Sequence, residues 1–335
     1  METLKLHKDA NQIKLKDIIK PGIVQILIEF FLLLIVAGFF TLFGITLIKG
    51  QKILSIILIC ITIINFIAFL VAYMILTYGV TACVLHASEG KEVTYKTLLS
   101  KTQGRGQKVI EVNIQFIINA AWYLLVFIFG TGILSFIDPD TSSVIALVLA
   151  IVILMILALA SLKIAFLIVS SIIANFIIAD YSNKTAKEIK KKAVYILSHK
   201  LGMFLRLIST YVLWGILFIV VNYFAETLSC IIWKPTIIEQ SILDNRPSIV
   251  LALLYVIKIA MFLVVSLKVL TGVCKFYEAQ KPHELFDDDY RLEKENKRYF
   301  ATSLLFVVVT LSILVGMATA IKTFCAALVL KLIGG

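Results

Sequence analysis

The chain has 335 residues, of which 60% are hydrophobic and 16% charged, with a mean hydropathy of +0.99. That balance excludes a water-soluble domain, which is usually about 45–50% apolar and about 25% charged. Its 32 Lys+Arg against 21 Asp+Glu leave a formal charge of +11, a pairing of grease and basic excess that points to a multi-span membrane protein with cationic loops on one side.

In chain order, segment 1–22 is polar and carries five Lys. It is too polar, and followed by too long an apolar run with no A-x-A site, to be a cleaved signal. Seven apolar runs then read as spans: Ile23–Ile48, Ile53–Leu85, Val109–Ile137, Val144–Ala179, Leu201–Phe224, Ser248–Val273 and Tyr299–Ile321, in line with about 20 apolar residues per crossing. The expected fold is therefore all-α, a polytopic membrane helix bundle of about seven spans occupying residues 23–335. The apolar tail Lys322–Gly335 is placed either in the last span or folded back beside it.

Inner connectors at about 86–108, 180–200 and 274–298, together with segment 1–22, hold 22 basic residues, against 6 in the remaining connectors and tail. The positive-inside rule then puts the N-terminus in the cytoplasm, and seven spans put the C-terminus outside. Basic junctions recur near Lys20, Lys108, Lys200 and Lys297, about 90 residues apart and so beyond solenoid periods. This reads as three repeated hairpins plus a last helix. The spans that close the first two hairpins run past 30 residues and at 1.5 Å per residue outreach a hydrocarbon core of about 30 Å.

The inner connectors are expected to be amphipathic. Thr185-Ala186-Lys187-Glu188 is a capping box, followed by Ile189, Ala193, Val194, Ile196 and Leu197 against Lys187, Lys190, Lys191 and Lys192. Ile13–Ile19 is a shorter version. Such segments either lie in the headgroup plane with Lys toward anionic lipid or only set topology. Asp287-Asp288-Asp289 invites a metal reading but equally makes a solvated turn.

Ionisable residues inside spans define the candidate site, because their burial in lipid is costly. They are Glu29, Glu111, Lys163, Arg206, Lys258 and Lys268. Glu111, Arg206 and Lys268 lie near inner helix ends, within snorkelling reach. Lys163 and Lys258 are the deepest and occupy similar places in successive repeats. Facing inward, they would hold an anion or lipid headgroup or pair with Glu29; alternatively Lys163 reaches the inner interface. The site set is Lys163, Lys258, Glu29 and Arg206. Asn65, Asn113 and Asn119 read as interhelical hydrogen bonders, and Trp122, Trp214 and Trp233 partly as interface anchors.

Catalytic and metal motifs are missing: no HExxH, Walker A, GxGxxG or GxSxG occurs. The five scattered cysteines (Cys60, Cys83, Cys230, Cys274, Cys325) read as buried small hydrophobes. No metal, cofactor or nucleic-acid partner is expected.

The stretch from Ile172-Ile173-Ala174-Asn175-Phe176 through Asp180 and Glu188 to Ser198-His199-Lys200, and Lys275-Phe276-Tyr277-Glu278 after a later span, resemble elements of multi-span Firmicute proteins. The likeness is to the membrane domain that precedes the catalytic domain in bacterial glycerophosphodiester phosphodiesterases, and to related membrane proteins. It covers the architecture of most of the chain through short motifs. It implies a non-catalytic module that anchors a phosphodiesterase, in cis or in trans, or supplies it with lipid-derived substrate, with membrane lipids as partners. That family's catalytic domain opens with His-Arg-Gly, whereas the four histidines here precede Lys8, Ala87, Lys200 and Glu284. Gly335 falls about where such a domain would begin. The alternative is a transporter or lipid-handling protein for an anionic solute around Lys163 and Lys258, since internal repeats also occur in transporters.

Overall fold

A computed structural model describes residues 15–135, 144–207, 248–280 and 296–310, with positions 209, 285, 286, 312 and 316. Seven helices are fully delimited: α1 Leu15–Ile48, α2 Lys52–Ser88, α3 Tyr95–Thr102, α4 Gly106–Ser135, α5 Val144–Asp180, α6 Ala186–His199 and α7 Ser248–Gln280. Helical backbone also runs through 201–207 and 297–310, and no strand occurs among the described residues. The protein is an all-α membrane helix bundle. Five of the described helices are long and apolar enough to cross a membrane: Ile18–Ile48, Lys52–Ser88, Gly106–Leu134, Val148–Asp180 and Ile259–Gln280. Most of the expected span Leu201–Phe224 and the later part of Tyr299–Ile321 lie outside the described residues, as do the tail Lys322–Gly335 and Asp287–Asp289.

The chain divides into two compact units, residues 1–198 with 273–290, and residues 199–272 with 291–335. In the first unit α1 pairs with α2, and α4 with α5. Both pairs are antiparallel hairpins. In the first, Ser55 Oγ donates to Thr46 Oγ1 at 3.1 Å beside the turn, and Gln25 Nε2 donates to Thr77 Oγ1 at 3.3 Å near the other end. Gly50 closes the turn at φ +72°, a left-handed conformation that a side chain would strain. Helix α2 also packs on α3, α4 and α5, which makes it the central element of this unit.

Two boundaries move relative to the sequence reading. Helix α1 is described from Leu15 and continues through Pro21, so residues 15–19 of the short amphipathic stretch belong to the helix of the first span. Pro21 falls early enough to remove one backbone donor without ending the helix. Helix α7 runs on to Gln280, two turns past the expected Val273, and carries Phe276-Tyr277-Glu278 inside it.

The buried core of the first unit is concentrated at one end of its helices, where the basic connectors lie. Leu76–Leu85 of α2, Val109–Phe116 of α4, Phe166–Ile178 of α5 and Val273–Tyr277 of α7 supply most of it. Toward the hairpin turns the same helices expose Leu34, Phe40, Ile56, Ile64, Phe129 and Leu159. Apolar surface exposed on that scale has hydrocarbon as its solvent. At 37 residues each, α2 and α5 rise about 55 Å and overrun a hydrocarbon core of about 30 Å.

The connectors are helical where amphipathy predicts it. Thr185 caps α6: Glu188 N–H donates to Thr185 Oγ1 at 3.3 Å, and Glu188 Oε2 accepts from Thr185 N at 2.9 Å and from Thr185 Oγ1 at 2.7 Å. One repeat earlier, α3 starts after Thr94, whose N–H donates to Thr97 Oγ1 at 3.1 Å. The apolar face of α6 does not lie open to a lipid interface, because Ile189, Ala193, Ile196 and Leu197 are fully buried in the protein.

Candidate functional site

The densest set of specific side-chain interactions lies at the basic end of the first unit, where α2, α5 and α7 finish. Tyr277 is fully buried, its hydroxyl donating to Asp180 Oδ2 at 2.7 Å and its ring stacked on Phe176 at 5.5 Å between centroids and 14° between planes. The neighbouring Glu278 accepts a short hydrogen bond from Ser88 Oγ at the end of α2. Helix periodicity sets this pattern: Phe176 and Asp180 are four residues apart and so share a face of α5, while Tyr277 and Glu278 are adjacent on α7 and diverge by about 100° toward different neighbours.

Basic residues at the start of α4 close the same end. Arg105 Nη1 donates to Tyr78 Oη and to the Ala179 carbonyl, both at 3.0 Å, and Lys108 Nζ donates to the Ser182 carbonyl. Cations beside a helix C-terminus satisfy its orphan carbonyls and complement its dipole. Glu89 follows the last turn of α2 and pairs with Lys91 at 2.6 Å. Deeper in, Asn113 Nδ2 donates to Val109 O at 2.8 Å and Asn175 Oδ1 at 3.3 Å, while its Oδ1 accepts from Ser171 Oγ at 2.8 Å. This is the interhelical hydrogen-bonding role expected of Asn113. Asn65 instead donates to Ile61 O on its own helix at 2.9 Å.

Of the residues expected to bind an anion, Lys163 and Glu29 lie in the first unit. Lys163 is exposed on α5, its Nζ 4.9 Å from the centroid of Phe166 one turn on. That bend carries the ammonium toward the basic end of the helix, the direction a snorkelling lysine takes. Glu29 is half-buried between α1 and α2, accepting from Gln25 Nε2 at 2.6 Å, and no ion pair joins it to Lys163. Arg206 and Lys258 belong to the second unit. Arg206 is exposed, as is Lys268, and the side chain of Lys258 lies outside the described residues. In the first unit, Glu111 is exposed and accepts from Gln107 Nε2 at 3.1 Å.

Phe176, Asp180, Tyr277 and Glu278 were legible in the sequence only as parts of the two short elements that carry the resemblance, and Arg105 and Tyr78 carried no motif at all. Their signal is spatial, because about 100 residues separate Asp180 from Tyr277 along the chain; an aromatic–acid pair at matching places in successive repeats is the clue that could have been weighed. Among the described residues no three His, Cys, Asp or Glu side chains converge as a metal site, and Cys60, Cys83 and Cys274 are free thiols.

The class these observations define is a multi-pass integral membrane protein, an all-α bundle whose first unit contains two helical hairpins. No family model matches the chain, and neither a curated protein nor a solved structure matches it.

Proposed function

We propose that this chain is a non-catalytic integral membrane domain of the kind found before bacterial glycerophosphodiester phosphodiesterases. It would anchor a hydrolase, in cis or in trans, or supply it with lipid-derived substrate. The observation that supports this reading is the interlocking of Tyr277 with Asp180 and Phe176, and of Glu278 with Ser88. The two sequence elements that carry the resemblance meet as one structural joint, so they act as framework. The lysine asymmetry adds an orientation, with the basic end in the bacterial cytoplasm. Transport around Lys163 and Lys258 is the weaker reading, since a solute path needs its lysine between helices and Lys163 stands on an exposed face.

The test co-expresses the chain with a soluble glycerophosphodiester phosphodiesterase domain in a host lacking its own. The domain should partition to the membrane only when the chain is present, and the purified chain alone should release no glycerol 3-phosphate from glycerophosphodiesters. A hydrolase that stays soluble, or hydrolysis by the chain alone, overturns the proposal.

A further inference from the structure

The exposed face of α4 changes chemistry along its length. Near its start it presents Gln107 and Glu111, and from Ile114 onward it presents Ile114, Ile117, Ile118 and Trp122. The helix from Gln115 to Ser135 rises about 30 Å, the thickness of a hydrocarbon core. Length and exposed chemistry thus place the membrane boundary of α4 at the same level, near Gln115.

Helix α6 is tied to α4 at that level. Lys190 Nζ donates to the Gln115 carbonyl at 3.4 Å and stands 6.0 Å from the centroid of the Phe116 ring. The apolar face of α6 is largely closed by protein, with Ile189, Ala193, Ile196 and Leu197 fully buried and Val194 half-buried, so the helix has little greasy surface left to insert. Its open side carries Lys187 and Lys191, both exposed and one turn apart on the same face. The carboxylate between them, Glu188, is turned back onto the N-cap at Thr185.

We propose that α6 is a headgroup-binding helix: Lys187 and Lys191 hold the phosphate oxygens of anionic phospholipids of the bilayer, with the acyl chains running along Ile117 and Ile118 of α4. Charge complementarity selects an anion, and the boundary level selects a lipid, because only a bilayer presents phosphates at a fixed height against an apolar helix face. This inference needs membrane insertion alone and is independent of any hydrolase partner, so its failure would leave that reading standing.

The full chain, purified in detergent, is titrated with mixtures of phosphatidylglycerol and phosphatidylcholine, and retained lipid is counted by native mass spectrometry. The wild type should retain phosphatidylglycerol in preference. The K187Q/K191Q variant should lose that preference by about five- to thirtyfold, at the usual gain per basic residue near a charged surface. K187R/K191R should keep it, and K96Q, which alters an exposed lysine of α3, should leave it unchanged. Free inorganic phosphate at matched ionic strength should not displace the lipid. Equal retention of the two lipids by the wild type, an unaltered preference in K187Q/K191Q, a loss in K96Q matching that of K187Q/K191Q, or displacement by phosphate each overturns the proposal. Should K187Q/K191Q fail to fold, the wild type still decides: its preference must weaken when ionic strength is raised.

Discussion

Tyr277 shows how one side chain ties the end of α7 to the end of α5. Its hydroxyl answers Asp180 and its ring answers Phe176, so its loss is felt twice. Tyr277→Phe keeps the ring and removes the donor to a carboxylate, which should cost about 1.5–3 kcal/mol and lower the thermal midpoint of the purified protein by size-exclusion assay. An unchanged midpoint would mean that the hydrogen bond contributes nothing. Glu188 carries a pH prediction. The Thr185 amide, then its hydroxyl, and to a lesser degree the Lys184 charge hold its carboxyl below the ordinary value of 4.5. The stabilisation is therefore complete above that value and is lost as pH falls through the depressed one. Amide exchange in the first turn of α6, corrected for intrinsic rates, should accelerate below pH 4.5 in the wild type, and Glu188→Gln should remove that acid step.

Each element reveals a division of labour along its own length. Helices α2 and α5 are membrane spans toward the hairpin turns and packed protein toward the basic end. Their near-continuous apolar runs hide the change, because hydropathy does not distinguish a residue facing lipid from one facing protein. Burial does: Tyr78 to Leu85 are all buried, whereas Ile56, Ile63 and Ile64 on the same helix are exposed. Gly79 sits in the packed part because a Cβ there would stand 2.7 Å from Leu98 Cδ1 and 2.8 Å from Thr102 Cγ2. Gly79→Val should therefore lift α3 off α2 at a cost of about 1–3 kcal/mol, measured as faster hydrogen exchange across Tyr95–Thr102. Equal exchange in variant and wild type would show that α3 does not depend on this close approach. Helix α6 was legible beforehand, since Thr185 with Glu188 is a local signal of four residues, whereas α3 was not. The joint between Tyr277 and Asp180 was not, since no local pattern encodes a pairing across a whole repeat.

At the scale of the molecule, the expected orientation rests on 22 basic residues in the connectors read as inner against 6 in the remaining connectors and tail. Alkaline phosphatase fused within the Lys49–Lys52 turn should be active, and fused at Gly104 inactive, with a fluorescent reporter giving the converse; the opposite pattern would invert the topology. By itself the sequence determined the solvent, the helical class, the first two hairpins and the capped helix α6, because hydropathy, helix length and caps are written in contiguous residues. Only the tertiary structure decided that Lys163 stands on an exposed face, that the apolar side of α6 is largely closed by protein, and that Arg105, Tyr78, Asp180 and Tyr277 join helix ends. Those outcomes depend on which way each helix is rotated against its neighbours. In a chain apolar on nearly every face, rotation is fixed by packing and a few long-range hydrogen bonds, and hydrophobic periodicity carries almost no record of it.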